Sequence, residues 1–257
     1  MASCLEIAKK AAYEGGMIAK RSFCNVKIHN KTEKDLVTSA DLAAEKKILQ
    51  IIRKAFPQHG IFSEEFGKEN YGRENTWIID PIDGTNNFAF GIPLYGCSVA
   101  FARKGVVQAG AVYLPELKEL YWAEKGKGAF CNGKRIHVSK RQPFAKSLIL
   151  MDACFHHGEK NYVPLVDVFA ARALGMRNLG AAVYHILWCA NGKADCSVEF
   201  LLQPYDFAAA ALILEEAGGR VSDLEGKKYS LETKALVFSN NLVHEEILGM
   251  VREIRLQ

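Results

Sequence analysis

The order of hydrophobic periods along the chain predicts a layered α/β protein whose first half carries an antiparallel sheet. Three observations carry that prediction. Two amphipathic helical stretches open the chain, short alternating segments joined by brief turns fill positions 94–138, and strand-like and helix-like stretches alternate after Ser147.

In chain order, residues 2–22 place Leu5, Ala8, Ala12 and Ile18 at helical spacing with charges between them, which predicts a helix with one face to bury. A loop over 25–35 leads to a second helix over 39–55, its buried face expected at Leu42, Ile48, Leu49 and Ile52. Pro57, beside Phe56, ends it. Trp77-Ile78-Ile79 is a short apolar run that suits a buried strand stopping at Asp80-Pro81. Tyr95, Cys97, Val99 and Phe101 alternate, and strands over 106–114 and 120–122 follow, punctuated by Gly105 and Pro115. Connections this short imply antiparallel neighbours. Beyond Ser147 the expected elements are strands at 148–151, 195–199 and 235–239. Helices are expected at 163–173, 181–190, 206–217 and 244–255, the third closed by Gly218-Gly219. There is no internal repeat or linker, so residues 1–257 read as one domain of two subdomains, approximately 1–140 and 141–257, sharing a cleft.

Composition narrows the function classes. With 257 residues and 49% apolar content, the chain can bury a sizeable core without staples. A net charge of +4, spread rather than massed, argues against nucleic-acid binding. Seven cysteines, an odd count with no Cys-x-x-Cys pair, fit neither a disulfide framework nor a zinc site. The N-terminal stretch, broken by Glu6, Lys9, Lys10 and Glu14, is no signal peptide, and no run is long enough for a membrane span. The expectation is a cytoplasmic protein with reduced thiols.

The chemistry concentrates in acidic residues. In Asp80-Pro81-Ile82-Asp83-Gly84-Thr85 a strand ends at Asp80, and two carboxylates three residues apart on a turn can converge with the Ile82 carbonyl on one hard cation. Amides of Gly84, Thr85 and Asn86 could meet a phosphate if they open a helix. A helix cap or an Asx turn explains Asp83 equally well. Glu64-Glu65, in a loop after Ile61-Phe62, reads alone as a solvated pair. Asp206, ahead of a helix over 207–217, reads alone as an N-cap, and Thr38 with Asp41 as a capping box.

Taken together, these segments resemble the inositol monophosphatase family, within the superfamily of lithium-sensitive, Mg²⁺-dependent sugar-phosphate phosphatases. The resemblance runs through Asp35-Leu36-Val37-Thr38 with Asp41, Ser63-Glu64-Glu65, Trp77 to Thr85 with Asn87-Phe88, Pro204-Tyr205-Asp206-Phe207, and Glu216-Ala217-Gly218-Gly219. It implies an α-β-α-β-α sandwich with a largely antiparallel first sheet and a mixed second one. It also implies two or three Mg²⁺ ions, a homodimer, and hydrolysis of a small phosphorylated metabolite by a metal-activated water. By this resemblance Glu64, Asp80 and the Ile82 carbonyl would bind one metal, and Asp80, Asp83 and Asp206 a second. Thr85 paired with Asp41 would orient and help deprotonate the water, with Glu64 beside them in the catalytic set, and the amides of Gly84 and Thr85 would hold the phosphate. Gly180, Ala181 and Glu199 would meet the substrate, with Asp83 and Asp206 also lining its site.

Inositol monophosphate is the expected substrate. Fructose 1,6-bisphosphate and histidinol phosphate are the alternatives within the superfamily, and a non-catalytic binding protein on the same fold is the alternative outside it. This chain departs from the family pattern at Phe90, where histidine is frequent, at Tyr205, where tryptophan is usual, and at Ala181, where a hydroxyl residue is usual. Those positions bear on substrate choice rather than reaction type. Two decoys are set aside. Gly128 to Lys134 nearly matches a phosphate-binding loop, but Arg135 stands where Ser or Thr is needed. A Gly-rich hairpin followed by a strand over 136–138 is the expectation instead. His156-His157 lacks further spaced ligands.

Overall fold

The computed structural model describes residues 2–25, 28–30, 36–152 and 163–255. The positions Asp35, Cys154, His156 and His157 lie outside the described residues.

Helix α1 (Cys4–Ser22) starts where the Ser3 side chain accepts the Glu6 amide at 3.2 Å. A two-stranded ribbon, β1 (Ile28–Asn30) and β2 (Leu36–Thr38), leads into α2 (Ser39–Ala55). An eight-stranded sheet follows, from β3 (Gly60–Ser63), β4 (Gly67–Glu69), β5 (Asn75–Asp83), β6 (Gly96–Arg103), β7 (Val106–Leu114), β8 (Glu119–Glu124), β9 (Ala129–Cys131) and β10 (Lys134–Arg135). Its order is β10-β9-β8-β7-β6-β5-β3-β4, antiparallel throughout except where β3 runs parallel to β5. The short helix α3 (Thr85–Ala89) sits between β5 and β6. The second sheet combines β11 (Leu148–Asp152), β12 (Gly175–Arg177), β13 (Cys196–Glu199), β14 (Arg220–Asp223) and β15 (Leu236–Ser239) in the order β12-β11-β13-β15-β14. Helices α4 (Val163–Arg172), α5 (Ala182–Ala190), α6 (Pro204–Glu216) and α7 (His244–Arg255) complete the chain.

Strand alternation explains the layering. In the large sheet, Trp77, Ile79, Val99, Phe101, Ala111 and Tyr113 pack against α1 and α2. Their neighbours Ile78, Ala100, Val112 and Leu114 face the other way, onto α5 and α6. Leu150 and Phe238 of the second sheet reach that same middle layer, whereas Ile149, Met151, Val198 and Val237 pack beneath α4 and α7. The result is the α-β-α-β-α sandwich, and each large side chain fully buried in it contributes about 1.5–3 kcal/mol. Close approach of α6 to the sheet requires Gly110, where a Cβ would lie 2.9 Å from the Ala209 Cα. Among the described residues no helix is long and apolar enough to cross a membrane.

Several sequence expectations are corrected. Strand β5 does not stop at Asp80 but continues through Pro81 to Asp83, because its register to β6 shifts between Asp80 and Asp83. A proline, with no amide hydrogen to donate, is tolerated at such an irregularity. Ile61-Phe62 belongs to a true strand, so Glu64 follows the end of β3 directly. Helix α6 begins at Pro204, not Phe207, with proline in the first turn where a missing N–H costs nothing. Leu42 is 45% exposed, because the buried stripe of α2 runs instead through Ala40, Asp41, Ala44, Glu45 and Ile48. Residues 136–138 form no strand, although β9 and β10 do make the expected hairpin.

The second sheet is anchored by the fully buried Asp195. Its carboxylate accepts the Leu148 amide and the Arg141 Nε, both at 2.8 Å, together with the Ser139 hydroxyl. Replacing Asp195 with alanine strands those donors and is expected to destabilise the protein by about 3 kcal/mol. Urea unfolding measures the change, and a loss below about 1 kcal/mol would show that the anchor is dispensable.

Candidate active site

Five carboxylates are delivered to one region by four different elements, two of them by β5. On α2, Asp41 is fully buried; its Oδ2 accepts the Thr38 amide at 2.8 Å and the Thr38 hydroxyl at 2.5 Å, completing the expected capping box. Its other oxygen faces the Thr85 hydroxyl at 3.4 Å, and that hydroxyl also donates to the Ile82 carbonyl at 2.9 Å. The expected Asp41–Thr85 pair is therefore present, and the Ile82 carbonyl lies in contact with it.

At the irregular end of β5, Asp80 is 2% exposed and its Oδ1 has no hydrogen-bond partner. Asp83, also buried, accepts the Val183 amide at 2.8 Å. That bond ties β5 to the first turn of α5. Gly84 then adopts a left-handed backbone, with φ of +88°, and a Cβ there would lie 2.9 Å from both the Ala181 Cβ and the Leu94 carbonyl oxygen. Only glycine fits this turn. Asp206 occupies the first turn of α6, where its Oδ2 accepts the Gln203 amide at 2.7 Å. The capping bond engages only one of the two carboxylate oxygens, Oδ2.

The turn after β3 brings Glu64, half-buried, beside the others, with its amide bound to the Ile79 carbonyl at 3.2 Å. Glu45, which the sequence reading does not single out, supports this turn. Fully buried on α2, it accepts the Glu65 amide at 3.0 Å and the Phe66 amide at 2.8 Å, and so holds this turn in place. Its signal was available: a carboxylate four residues after Asp41 lies on the same helix face.

Electrostatics show how crowded the region is. Burial raises Asp80 well above the usual carboxylate range, and Glu64, Asp83, Asp206 and Asp41 push it further. Burial likewise lifts Asp83 to about 7, opposed by the Val183 amide. Asp206 rises for the same reason, with Asp83 and Glu64 adding to it and the Gln203 amide opposing. Among the described residues, no three His, Cys, Asp or Glu side chains close into a ready-made metal cage. Like charges have no reason to close up without a cation between them. The donor set nevertheless suits a hard cation: all-oxygen, anionic, and including one buried oxygen without a protein donor.

The expected substrate contacts fall in different places. Gly180 is exposed, whereas Ala181 is 4% and Glu199 2% exposed. Asn87 of α3 donates to the Leu94 and Leu179 carbonyls at 2.8 and 2.7 Å, which seats the 179–181 segment beside Gly84. The Glu199 carboxylate is engaged by His185 and Ser197. Of the departures from the family pattern, Phe90 projects into solvent and Tyr205 meets Phe62 edge-on at 5.6 Å.

Comparison with known proteins places this geometry. The inositol monophosphatase family profile matches residues 1–256. A "Fructose-1,6-bisphosphatase/inositol-1-monophosphatase" of Aquifex aeolicus is 36% identical, covering 97% of this chain and 95% of that protein. A "Putative Nus factor SuhB" of Neisseria meningitidis is 37% identical, covering 96% and 97%. The solved structure of the extragenic suppressor protein suhB from Bartonella henselae superposes with a TM-score of 0.92 at 31% identity, covering 98% and 99%. The chain belongs to the inositol monophosphatase family, a family of phosphomonoesterases that generally depend on Mg²⁺.

Proposed function

We propose that this chain is a Mg²⁺-dependent phosphatase that hydrolyses a small phosphate monoester, with myo-inositol 1-phosphate as its preferred substrate. The observation that carries this reading is the buried Asp80, whose Oδ1 meets no protein donor while Glu64, Asp83 and Asp206 crowd it electrostatically. Glu64, Asp80, Asp83, Asp206 and the Ile82 carbonyl would hold the magnesium. When bound, magnesium supplies the positive charge that offsets a dianionic phosphate and lowers the pKa of a coordinated water.

The chain's own residues account for the remaining tasks. The Thr85 hydroxyl has one proton, within reach of the Ile82 carbonyl at 2.9 Å and of Asp41 Oδ1 at 3.4 Å; turned toward Asp41, it gives that proton up as its lone pair accepts one from a partner in the cleft. Asp41, pushed up by burial and bonded to Thr38, stands behind Thr85 as the group that takes up the proton. Amides of the first α3 turn lack intrahelical acceptors and, beside the left-handed Gly84, would hold the phosphate. No cysteine or serine nucleophile enters the scheme. Fructose 1,6-bisphosphate is the second candidate, favoured by the name of the Aquifex relative. A panel of myo-inositol 1-phosphate, fructose 1,6-bisphosphate and histidinol phosphate, with and without Mg²⁺, tests the reading. Absence of metal-stimulated phosphate release from all three by folded protein would favour a binding role instead.

Three outcomes are expected. Asp83→Asn and Asp206→Asn, each removing one charge, should lower kcat/KM by about 10³-fold or more while the proteins stay folded; retained activity refutes the ligand assignment. Glu45→Ala should loosen the turn that carries Glu64 and raise the Mg²⁺ concentration for half-maximal activity about 10-fold or more. Unchanged metal dependence would show that Glu45 does not position it.

The third concerns pH. Asp83 has a folded value of about 7 against an ordinary 3.8. Its contribution to stability is therefore fully present below the lower value and lost as pH rises through the higher one. The melting temperature of metal-free protein should fall between about pH 4 and 7, and saturating Mg²⁺ should cancel the fall. Calorimetry with EDTA or Mg²⁺ measures this, and a flat metal-free profile would count against the charge crowding.

A further inference from the structure

Directly behind the 179–183 segment lies a buried hydrogen-bonded group that the scheme above does not use. His185, fully buried on α5, has its Nδ1 2.7 Å from Glu199 Oε1 on β13, and the Ser197 hydroxyl donates to the same oxygen. The other ring nitrogen, Nε2, accepts the Leu179 amide at 2.8 Å. An atom that accepts an N–H carries a lone pair, so Nε2 is unprotonated and the ring hydrogen sits on Nδ1, donated to Glu199. The carboxylate fixes the tautomer, and the tautomer makes His185 an acceptor.

The Leu179 peptide is thereby pinned at both ends. Its amide is held by His185, and its carbonyl by Asn87 at 2.7 Å, from the helix that begins with Thr85. Two residues on, Ala181 packs against Gly84, and Val183 donates to Asp83 at 2.8 Å. One short stretch of chain thus touches the turn, the helix and a carboxylate of the site.

We propose that His185, oriented by Glu199, is a positioning residue that seats the 179–183 segment against the site, and that Glu199 contributes to that seating through His185. The proposal rests on the phosphatase reading for its kinetic consequence, but its structural core can be tested independently. A direct contact from Glu199 would serve only substrates with a hydroxyl to offer. A positioning role affects every substrate alike.

The experiment compares His185→Leu, His185→Gln, Glu199→Leu and the His185→Leu/Glu199→Leu double variant. Glutamine can place an acceptor near the Nε2 position; leucine cannot. Amide exchange by NMR in metal-free protein should show Leu179 exchanging about 10-fold faster or more in both leucine variants, with core strand β6 unchanged and protection largely restored in His185→Gln. With Mg²⁺, kcat on 4-nitrophenyl phosphate and on myo-inositol 1-phosphate should fall by a similar factor, about 10-fold, with little change in KM. The double variant should be no worse than either single one.

Unchanged exchange at Leu179 in His185→Leu overturns the proposal. So does a Glu199→Leu defect confined to KM for the inositol phosphate, which would identify a direct contact. If the unmodified protein turns over neither substrate, the phosphatase reading fails, and the exchange data alone decide the positioning claim.

Discussion

The rest of the structure is organised around a cost: several carboxylates are removed from water within one region. Each is steadied by a backbone amide that the fold presents to it, Asp41 by Thr38, Asp83 by Val183 and Asp206 by Gln203. Asp80 is the exception, with one oxygen left unmatched. Such amide bonds favour the charged form but do not offset burial fully, so the group stays strained electrostatically. The sandwich supplies the restraint. The large sheet and the helices on its two faces fix the four side chains from directions no local turn could provide.

Much of this was legible in the chain. The helical period of α1, the boundaries of α2 and the alternating strands of the large sheet follow from local patterning, which is what apolar spacing and turn residues encode. The Thr38–Asp41 capping box was also visible locally. At Asp206 the cap suggested by the sequence is present on one oxygen, so the two readings do not exclude each other.

What was not legible depended on distant partners. That Pro81 could sit inside a strand follows from the register shift against β6, which belongs to the pairing rather than to the proline. Strand β3 is short and gains its identity by lying parallel to β5. Glu45 shares a helix face with Asp41, but the amides that it accepts, of Glu65 and Phe66, lie 20 and 21 positions away, beyond any local pattern. His185 and Glu199 stand on different elements, α5 and β13, so no periodicity within one element could reveal their shared hydrogen bond.

The bond between Asp83 and Val183 spans 100 positions of sequence, and the Asn87–Leu179 bond spans 92. Contacts so distant each close a long loop of chain, at an entropic cost that no local turn can offset. The cleft therefore does not exist in a half-folded chain, or in a nascent one whose second sheet is still being made. Until that sheet docks, the acids of β5 remain in water, where they ionise without penalty and bind hard cations only weakly. Assembly and function are thus joined: the long-range contacts that complete the fold are also ones that bring this cleft into being.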